Sequence, residues 1–231
     1  GGQSFQNFID RLNQLPSEQR QPVVDSFLTV NPHSPFKEAD TLANFFYTGN
    51  VQSVSVPGDA TGWDPGPNIM THIDGTNFWY FSAVYENDAR LDYKFVTNGS
   101  NWILDPRNPN SVNGGFGPNS ELSMPGYTQP AEIEYDPGIG HGVLFDTVFF
   151  STGLGNSRHI KVYIPPAYNQ ELKEYAVILF HDGLDYLSLA DAKNVLDYLI
   201  GHDIIDPVIG VFVPAVNRNE EYHGNLKDEY T

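Results

Sequence analysis

The sequence of 231 residues contains no cysteine and few basic residues. The absence of cysteine excludes disulfides, thiolate metal sites and cysteine nucleophiles, although it does not identify a compartment. Only 12 Lys and Arg residues stand against 29 Asp and Glu residues, which gives a formal net charge of −17. Because such a charge repels phosphate backbones and anionic lipid headgroups, we expect neither nucleic acid nor a membrane surface as a partner.

Long apolar runs and targeting signals are missing as well. No stretch approaches the roughly 20 apolar residues needed to span a bilayer, and the amino terminus lacks the basic and apolar regions of a signal peptide. We therefore expect a cytoplasmic protein, and a periplasmic or secreted one if a leader has been removed. The candidate metal ligands His141, His159, His181, His202 and His223 include no i, i+4 pair on one predicted helix, so we expect no metal site. We also expect no cofactor.

The pattern of apolar and polar residues changes near residue 40. We expect residues 1–40 to be a helical segment. Apolar residues recur at helical spacing on both sides of Pro16, which predicts two short helices over residues 4–30. These helices are expected to cover a neighbouring domain. Residues 41–127 alternate short apolar and polar segments with Gly, Asn, Asp and Pro between them, which predicts an all-β sandwich.

Two Gly- and Pro-rich stretches follow the predicted strands. Residues 105–127 are dense in Asn, Gly and Pro, and we expect them to form a structured loop without a metal. Residues 128–142 read as the link to the next domain.

Three tryptophans lie in the predicted sandwich. We expect Trp63 and Trp102 to pack in the core or in turns. Trp79 lies in "FWYF", where a period of two places it on the face opposite Phe78 and Tyr80. The sequence does not say which of these faces is exposed.

Residues 143–231 begin like an α/β domain. Four segments predict strands: "VLFDTVFFS", "HIKVYIPPAY", "YAVILFHDG" and "DPVIGVFVPA". The third is a continuous apolar run, typical of a strand buried on both faces of a parallel sheet. A helix with its start near Ser188 and its end at Gly201 would connect it to the fourth strand. Because ligands gather at the carboxyl ends of such strands, the "HDG" turn and the segment "VNRNEEYHGN" are expected at one rim.

The sandwich sequence resembles a known class of module. "VQSVSVPGDATGWDPG" and "YKFVTNGSNWILDP" are similar to the early-set, immunoglobulin-like modules related to glycogen-binding domains. The resemblance implies an immunoglobulin-like fold for residues 41–127. It also raises a second function, that of a non-catalytic glycan-binding or scaffold protein.

The order "RHIKVYIPPAYN", "YAVILFHDG" and "DPVIGVFVPAVNRNEEYHGN" resembles the opening of the esterase D branch of the α/β-hydrolases. This group contains enterochelin esterase and feruloyl esterases, and the preceding helices and early-set module narrow the likeness to enterochelin-esterase-like proteins. The resemblance implies a multidomain chain with the first part of an α/β-hydrolase fold in residues 143–231. It also implies a small-molecule ester as substrate, with siderophores, feruloylated sugars and simple acyl esters all left open by the sequence.

The resemblance also assigns roles to particular residues. The Leu184 N–H would donate to an oxyanion, with Gly183 letting the chain pass close to the substrate. Arg218, Glu221 and Asn225 match the family's arginine loop. In that reading Arg218 binds a carboxylate or catecholate oxygen, Glu221 holds the guanidinium and Asn225 braces the loop. The alternative is an ordinary surface salt bridge from Arg218 to Glu220 or Glu221.

The remaining site candidates are His181 and Asp182 of the "HDG" turn. They either contact the substrate or hold the turn by local hydrogen bonds.

The catalytic serine of this family is missing from the sequence. α/β-Hydrolases carry it in a G-x-S-x-G elbow, and the nearest segment here, "GNSRH" around Ser157, precedes a predicted strand. We therefore expect a truncated serine carboxylic-ester hydrolase that lacks its nucleophile, acid and base and is inactive alone. A natural short protein that has lost catalysis is the alternative. An incomplete sheet would leave an apolar edge, so a homo-oligomer could cover it.

Overall fold

The computed structural model describes residues 4–169 and 174–230, and the chain divides into two compact units, Gly1–Thr128 and Gln129–Thr231. Helices and several separate sheets make up the chain. Within the described residues, no helix is both long and apolar enough to cross a membrane.

The first unit opens with two helices, which confirms the prediction for residues 4–30. Helix α1 spans Phe5–Gln14 and helix α2 spans Ser17–Val30, with Pro16 between them. The side chain of Ser4 caps α1 by accepting a hydrogen bond from the Asn7 N–H at 3.2 Å.

Ten short strands follow in the first unit. They are β1 (Phe36–Glu38), β2 (Leu42–Thr48), β3 (Val54–Ser55), β4 (Thr71–His72), β5 (Phe78–Val84), β6 (Arg90–Tyr93), β7 (Phe95–Thr97), β8 (Asn101–Ile103), β9 (Ser111–Gly114) and β10 (Gly117–Ser123). They form three sheets with the orders β1-β2-β5-β4, β6-β10-β9 and β3-β7-β8. Strands β9 and β10 pair as an antiparallel hairpin inside residues 105–127, so the expectation of a loop there was wrong.

Strand β5 separates two apolar cores. Phe78 packs with the helices in a cluster that includes Phe5, Phe8 and Phe46. Trp79 points to the opposite face and packs with residues such as Phe45. Both faces of β5 are therefore covered at its start, where the face that carries Trp79 is buried, whereas Ser82 and Val84 at its end are exposed.

Among its described residues, 129–169 and 174–230, the second unit contains one mixed sheet and four helices. Its strands are β11 (Val143–Ser151), β12 (Asn156–Ile164), β13 (Ala176–His181) and β14 (Val208–Val213), in the order β11-β12-β14-β13. Its helices are α3 (Gly183–Leu189), α4 (Ala192–Gly201), α5 (Arg218–Tyr222) and α6 (Lys227–Tyr230). Strands β13 and β14 are parallel, whereas the other two pairings are antiparallel.

Helix α4 covers one face of this sheet. Leu196 and Ile200 of α4 form a buried cluster with Tyr163, Val208 and Phe212 from the strands. The helix ends at Gly201 as predicted, but Ser188 lies inside α3 and α4 begins only at Ala192. The predicted start was wrong because two helices, not one, connect β13 to β14.

Strand β13 is not buried on both faces, which corrects the expectation for "YAVILFHDG". Residues Ala176 to Leu179 are exposed, and β13 lies at the edge of the sheet with β14 as its partner. Val177 and Leu179 lie on the face that α4 does not cover, since they pair in register with Ile209 and Val211. The apolar sequence is therefore present without the packing that it predicts.

Candidate functional site at the carboxyl ends of β13 and β14

The "HDG" turn follows directly on β13. His181 is the last strand residue, Asp182 adopts a left-handed backbone with φ 52°, and Gly183 begins α3. A Cβ atom at position 183 would clash with the backbone of Phe212 and Val213 in β14. Gly183 is thus required by the close approach of two protein segments, whereas sequence reasoning had attributed it to the approach of a substrate.

Asp182 and Arg218 meet at this rim, as the strand order predicted. The Arg218 Nε donates a hydrogen bond to Asp182 Oδ2 at 2.9 Å. The Tyr222 hydroxyl donates to Asp182 Oδ1 at 2.9 Å and accepts a hydrogen bond from the Asp182 N–H, also at 2.9 Å. Asp182 therefore joins the turn after β13 to helix α5, which follows β14.

The guanidinium of Arg218 is held at one edge by Asp182 and lies over the Tyr222 ring, 5.3 Å from the ring centre. Its side chain is 62% exposed. The hydrogen bond to Asp182 raises the pKa of Arg218, so the group stays charged. Within residues 4–169 and 174–230, Asp182 is its hydrogen-bond partner through Nε, which leaves Nη1 and Nη2 to donate to another oxygen. The pKa of the neighbouring Tyr222 hydroxyl is raised, most of all by burial and then by its hydrogen bonds with Tyr230 and Asp182.

Glu221 does not hold Arg218, and this part of the sequence interpretation was wrong. Glu221 is buried, and its carboxylate pairs with Arg158 of β12, whose Nη1 and Nη2 donate at 3.1 and 3.2 Å. The same carboxylate accepts hydrogen bonds from the Val216 and Asn217 N–H groups. The surface salt bridge from Arg218 to Glu220 or Glu221 was also wrong, since Arg218 pairs with Asp182.

Asn225 lies in the turn after α5. Its backbone N–H donates to Glu220 Oε2 at 3.1 Å, so the contact that braces this turn comes from the main chain of Asn225. At the other end of α5, the side chain of Asn217 caps the helix by accepting from the Glu220 N–H.

Leu184 is the second residue of α3. The first N–H groups of a helix have no acceptor inside it, which leaves the Leu184 N–H at the end of the helix that faces the turn. The Asp185 and Tyr186 N–H groups bond to the Asp182 carbonyl. The oxyanion role of Leu184 stays a prediction.

His181 lies beside a cavity on the open face of the sheet. This cavity of about 270 Å³ is lined by residues of all four strands and by Tyr230 of α6. His181 Nδ1 lies 3.1 Å from the Tyr230 hydroxyl, and the Arg158 guanidinium lies 5.4 Å from the centre of the Tyr230 ring. No group of three or more metal-ligating side chains occurs among the residues that the structure describes.

Sequence reasoning missed three residues of this region. Tyr222 could have been found, because it lies four residues after Arg218 and so on the same face of a helix. Arg158 and Tyr230 could not, because their contacts with Glu221 and His181 connect residues 63 and 49 positions apart.

Comparison with known proteins finds similarity to esterases. Residues 151–230, less than half of the chain, match the family described as "Putative esterase". The ferric enterobactin esterase of Salmonella typhimurium has a similar structure, with a TM-score of 0.63 and 17% identity, over 85% of this chain and 60% of that one.

Two structures of the enterobactin esterase from Shigella flexneri are similar to this chain to about the same degree. The one solved with 2,3-di-hydroxy-N-benzoyl-serine has a TM-score of 0.60 and 19% identity over 86% of this chain and 59% of that one. The one solved with enterobactin has a TM-score of 0.58 and 20% identity over 81% and 56%. No curated protein matches the chain significantly. Over the aligned part, the chain therefore shares the fold of these structures, and it spans about 56–60% of their length.

Proposed function

We propose that this chain contributes the substrate-facing rim of a serine carboxylic-ester hydrolase similar to enterochelin esterase, whose nucleophile, acid and base are supplied by residues outside this sequence. The observation that carries the proposal is the contact between Asp182 and Arg218 at the carboxyl ends of two adjacent parallel strands. Asp182 orients a permanent cation there, and Nη1 and Nη2 of that cation would donate to the substrate. This arrangement suits a small ester with anionic or carbonyl oxygens, such as a siderophore or a feruloylated sugar.

Two features of the second unit support its assignment to the first part of an α/β-hydrolase domain. Strands β13 and β14 are parallel and joined through helices, as in doubly wound folds. The face with Val177 and Leu179 is apolar and uncovered, which suits a sheet on which further elements of a larger domain pack.

For the first unit, we infer an early-set module in residues 41–127, with residues 128–142 as the link.

The chemistry assigns a separate task to each residue of the rim. A serine would attack the ester carbonyl, and the Leu184 N–H would stabilise the oxyanion that forms, since removal of one such donor costs about 3 kcal/mol in barrier height. Arg218 would bind an oxygen of the substrate before and during the reaction. Glu221, paired with Arg158, acts on the fold of the α5 region and not on the substrate.

A fluorophosphonate label and p-nitrophenyl acetate turnover test the source of the nucleophile. We expect labelling and turnover in the full natural chain that contains these residues, and neither in the 231-residue chain alone. Labelling of the 231-residue chain would show that it has its own reactive serine. The absence of labelling and of turnover in both chains would contradict the hydrolase proposal.

Substitution of Arg218 tests the binding role. In the full natural chain, Arg218→Ala should raise KM for an anionic ester about tenfold with little change in kcat, because a charge-assisted hydrogen bond is lost. Arg218→Lys should recover part of the loss, since it keeps the charge without the planar donors. Lys161→Ala is the matched control, because Lys161 forms an exposed ion pair with Asp146 at 3.0 Å in the same unit. Equal KM values for Arg218→Ala and Lys161→Ala would remove Arg218 from the site.

A further inference from the structure

Tyr222 of α5 contacts the rim of the sheet through one neighbour, Asp182. Its hydroxyl donates a hydrogen bond to Asp182 Oδ1 and accepts one from the Asp182 N–H, each at 2.9 Å. The pKa of this hydroxyl is raised, most of all by burial, so the group stays protonated and keeps donating at neutral pH. One hydroxyl therefore holds the side chain and the main chain of Asp182 at the same time.

The main chain of Asp182 determines where α3 begins. Its backbone is left-handed, with φ 52° and ψ 36°, a conformation that costs free energy in residues other than glycine. The Asp182 carbonyl accepts hydrogen bonds from the N–H groups of Asp185 and Tyr186 in the first turn of the helix. Leu184 lies in the same turn, two residues after Asp182. The conformation of Asp182 thus sets the position of the Leu184 N–H.

The side chain of Asp182 forms the second connection. Asp182 Oδ2 accepts a hydrogen bond from Arg218 Nε at 2.9 Å, while Oδ1 is held by the Tyr222 hydroxyl. The Arg218 guanidinium also lies over the Tyr222 ring, 5.3 Å from its centre. Tyr222 therefore acts on Arg218 directly through its ring and indirectly through the carboxylate. These two contacts limit the directions in which an exposed guanidinium can point.

We propose that Tyr222 is a positioning residue that acts on two parts of the site, the direction of the Arg218 guanidinium and the turn that presents the Leu184 N–H. The inference rests on the proposed function, because it takes Arg218 as a substrate-binding group and the Leu184 N–H as an oxyanion donor. In this role Tyr222 contacts neither the substrate nor the reacting atoms. A residue that only stabilised the fold would not change kcat and KM differently for different esters.

Two p-nitrophenyl esters separate these effects in the full natural chain, the neutral acetate and the anionic hemisuccinate. Tyr222→Phe keeps the ring and removes the hydroxyl. It should lower kcat about tenfold for both esters, because the oxyanion donor is displaced, and raise KM about threefold for the hemisuccinate alone. Arg218→Ala, by contrast, is expected to act on KM, so a fall in kcat for the acetate reports on the turn.

The matched control is Tyr198→Phe, which removes a tyrosine hydroxyl elsewhere in the same unit. Tyr198 lies on α4, where its ring centre is 4.3 Å from that of His202. This variant should have the kcat and KM of the wild type for both esters.

Amide hydrogen exchange in the 231-residue chain tests the contact without esterase activity. The Asp182 N–H should exchange about tenfold faster in Tyr222→Phe than in the wild type, because its acceptor is removed. The Val195 N–H, which bonds to the Asp191 carbonyl at the start of α4, is the internal reference. The ratio of the Asp182 and Val195 rates is compared, so that a general loss of stability cancels.

Two results would overturn the role of Tyr222. One is a wild-type kcat for the acetate in Tyr222→Phe, and the other is an unchanged ratio of Asp182 to Val195 exchange. Absence of turnover in the wild-type full chain would instead contradict the proposed function. In that case the exchange ratio still decides whether the hydroxyl holds the turn.

Discussion

Strand β5 of the first unit and strand β13 of the second are both rich in apolar and aromatic residues, yet they are buried to very different extents. On β5, Phe78 faces the helices and Trp79 faces the second core, and both side chains are buried. On β13, Leu179 is 53% exposed although its sequence is at least as apolar. An apolar run thus indicates how much surface a strand is able to bury. How much it buries depends on the elements that pack around it.

The largest expected effect is the loss of unfolding free energy when a buried ring of the first unit is removed, compared with an exposed ring of the second. Phe78→Ala should lower the free energy of unfolding of the first unit by about 4 kcal/mol, because it removes a fully buried ring between helices and sheet. Phe149→Ala, at a ring on β11 that is 53% exposed, should change the second unit by less than about 0.5 kcal/mol.

Separate probes follow the two units. Tryptophan emission in denaturant reports on the first unit, because all three tryptophans lie there. Amide hydrogen exchange in β12 and β14 reports on the second unit. A loss above about 2 kcal/mol for Phe149→Ala would mean that the open face of the sheet is covered in solution.

The second prediction concerns the most buried ion pair of the second unit. Glu221→Gln should destabilise this unit by about 3 kcal/mol, because it leaves the buried Arg158 guanidinium without a charged partner. Asp228→Asn, at an exposed position nearby, is the control and should have little effect. Exchange rates in β12 that are equal for the two variants would show that the pair is not structural.

The sequence predicted most elements of both units and the meeting of two loops at one rim. Helical spacing predicted α1 and α2, and the order of strands predicted that Asp182 and Arg218 lie at the same edge. These features depend on local periodicity and on chain direction, which a sequence displays directly.

Partners of individual side chains could not be predicted in the same way. Glu221 pairs with Arg158 and not with Arg218, although Arg218 is only three residues away. The pairing is decided by which face of the short helix α5 turns toward β12, and no local pattern encodes that orientation. The predicted burial of β13 was wrong for a related reason, since burial depends on neighbours distant in the chain. Trp102, expected in the core or in a turn, lies on β8 and is 43% exposed, so it is not a core residue.

The third prediction concerns Asp105, a buried carboxyl of the first unit. Asp105 is buried, with Tyr93 Oη at 2.7 Å from Oδ2 and the Arg107 N–H donating to Oδ1 at 2.9 Å. Burial raises the pKa of Asp105 to about 6. Because the folded state binds this proton more tightly than the unfolded state, the stabilisation is complete below about pH 4 and is lost as the pH rises through about 6.

Asp105→Asn should therefore become more stable relative to the wild type as the pH rises from 4 to 7, by up to about 3 kcal/mol. The measurement is denaturant unfolding followed by tryptophan emission at several pH values. Asp88→Asn, an exposed carboxylate of the same unit, is the matched control. A constant difference between Asp105→Asn and wild type would contradict the raised pKa.

The smallest expected effect belongs to the exposed pair of Asp182 and Arg218. A double-mutant cycle with Asp182→Asn and Arg218→Ala should show no measurable coupling in the stability of the second unit, since solvent screens an arginine that is 62% exposed. Hydrogen exchange in β14 is the measurement, and a clear coupling would mean that the pair is as structural as Arg158–Glu221. If stability is unaffected while KM rises, the contact between Asp182 and Arg218 orients a substrate-binding group, because a pair that does not stabilise the fold can still determine where a guanidinium points.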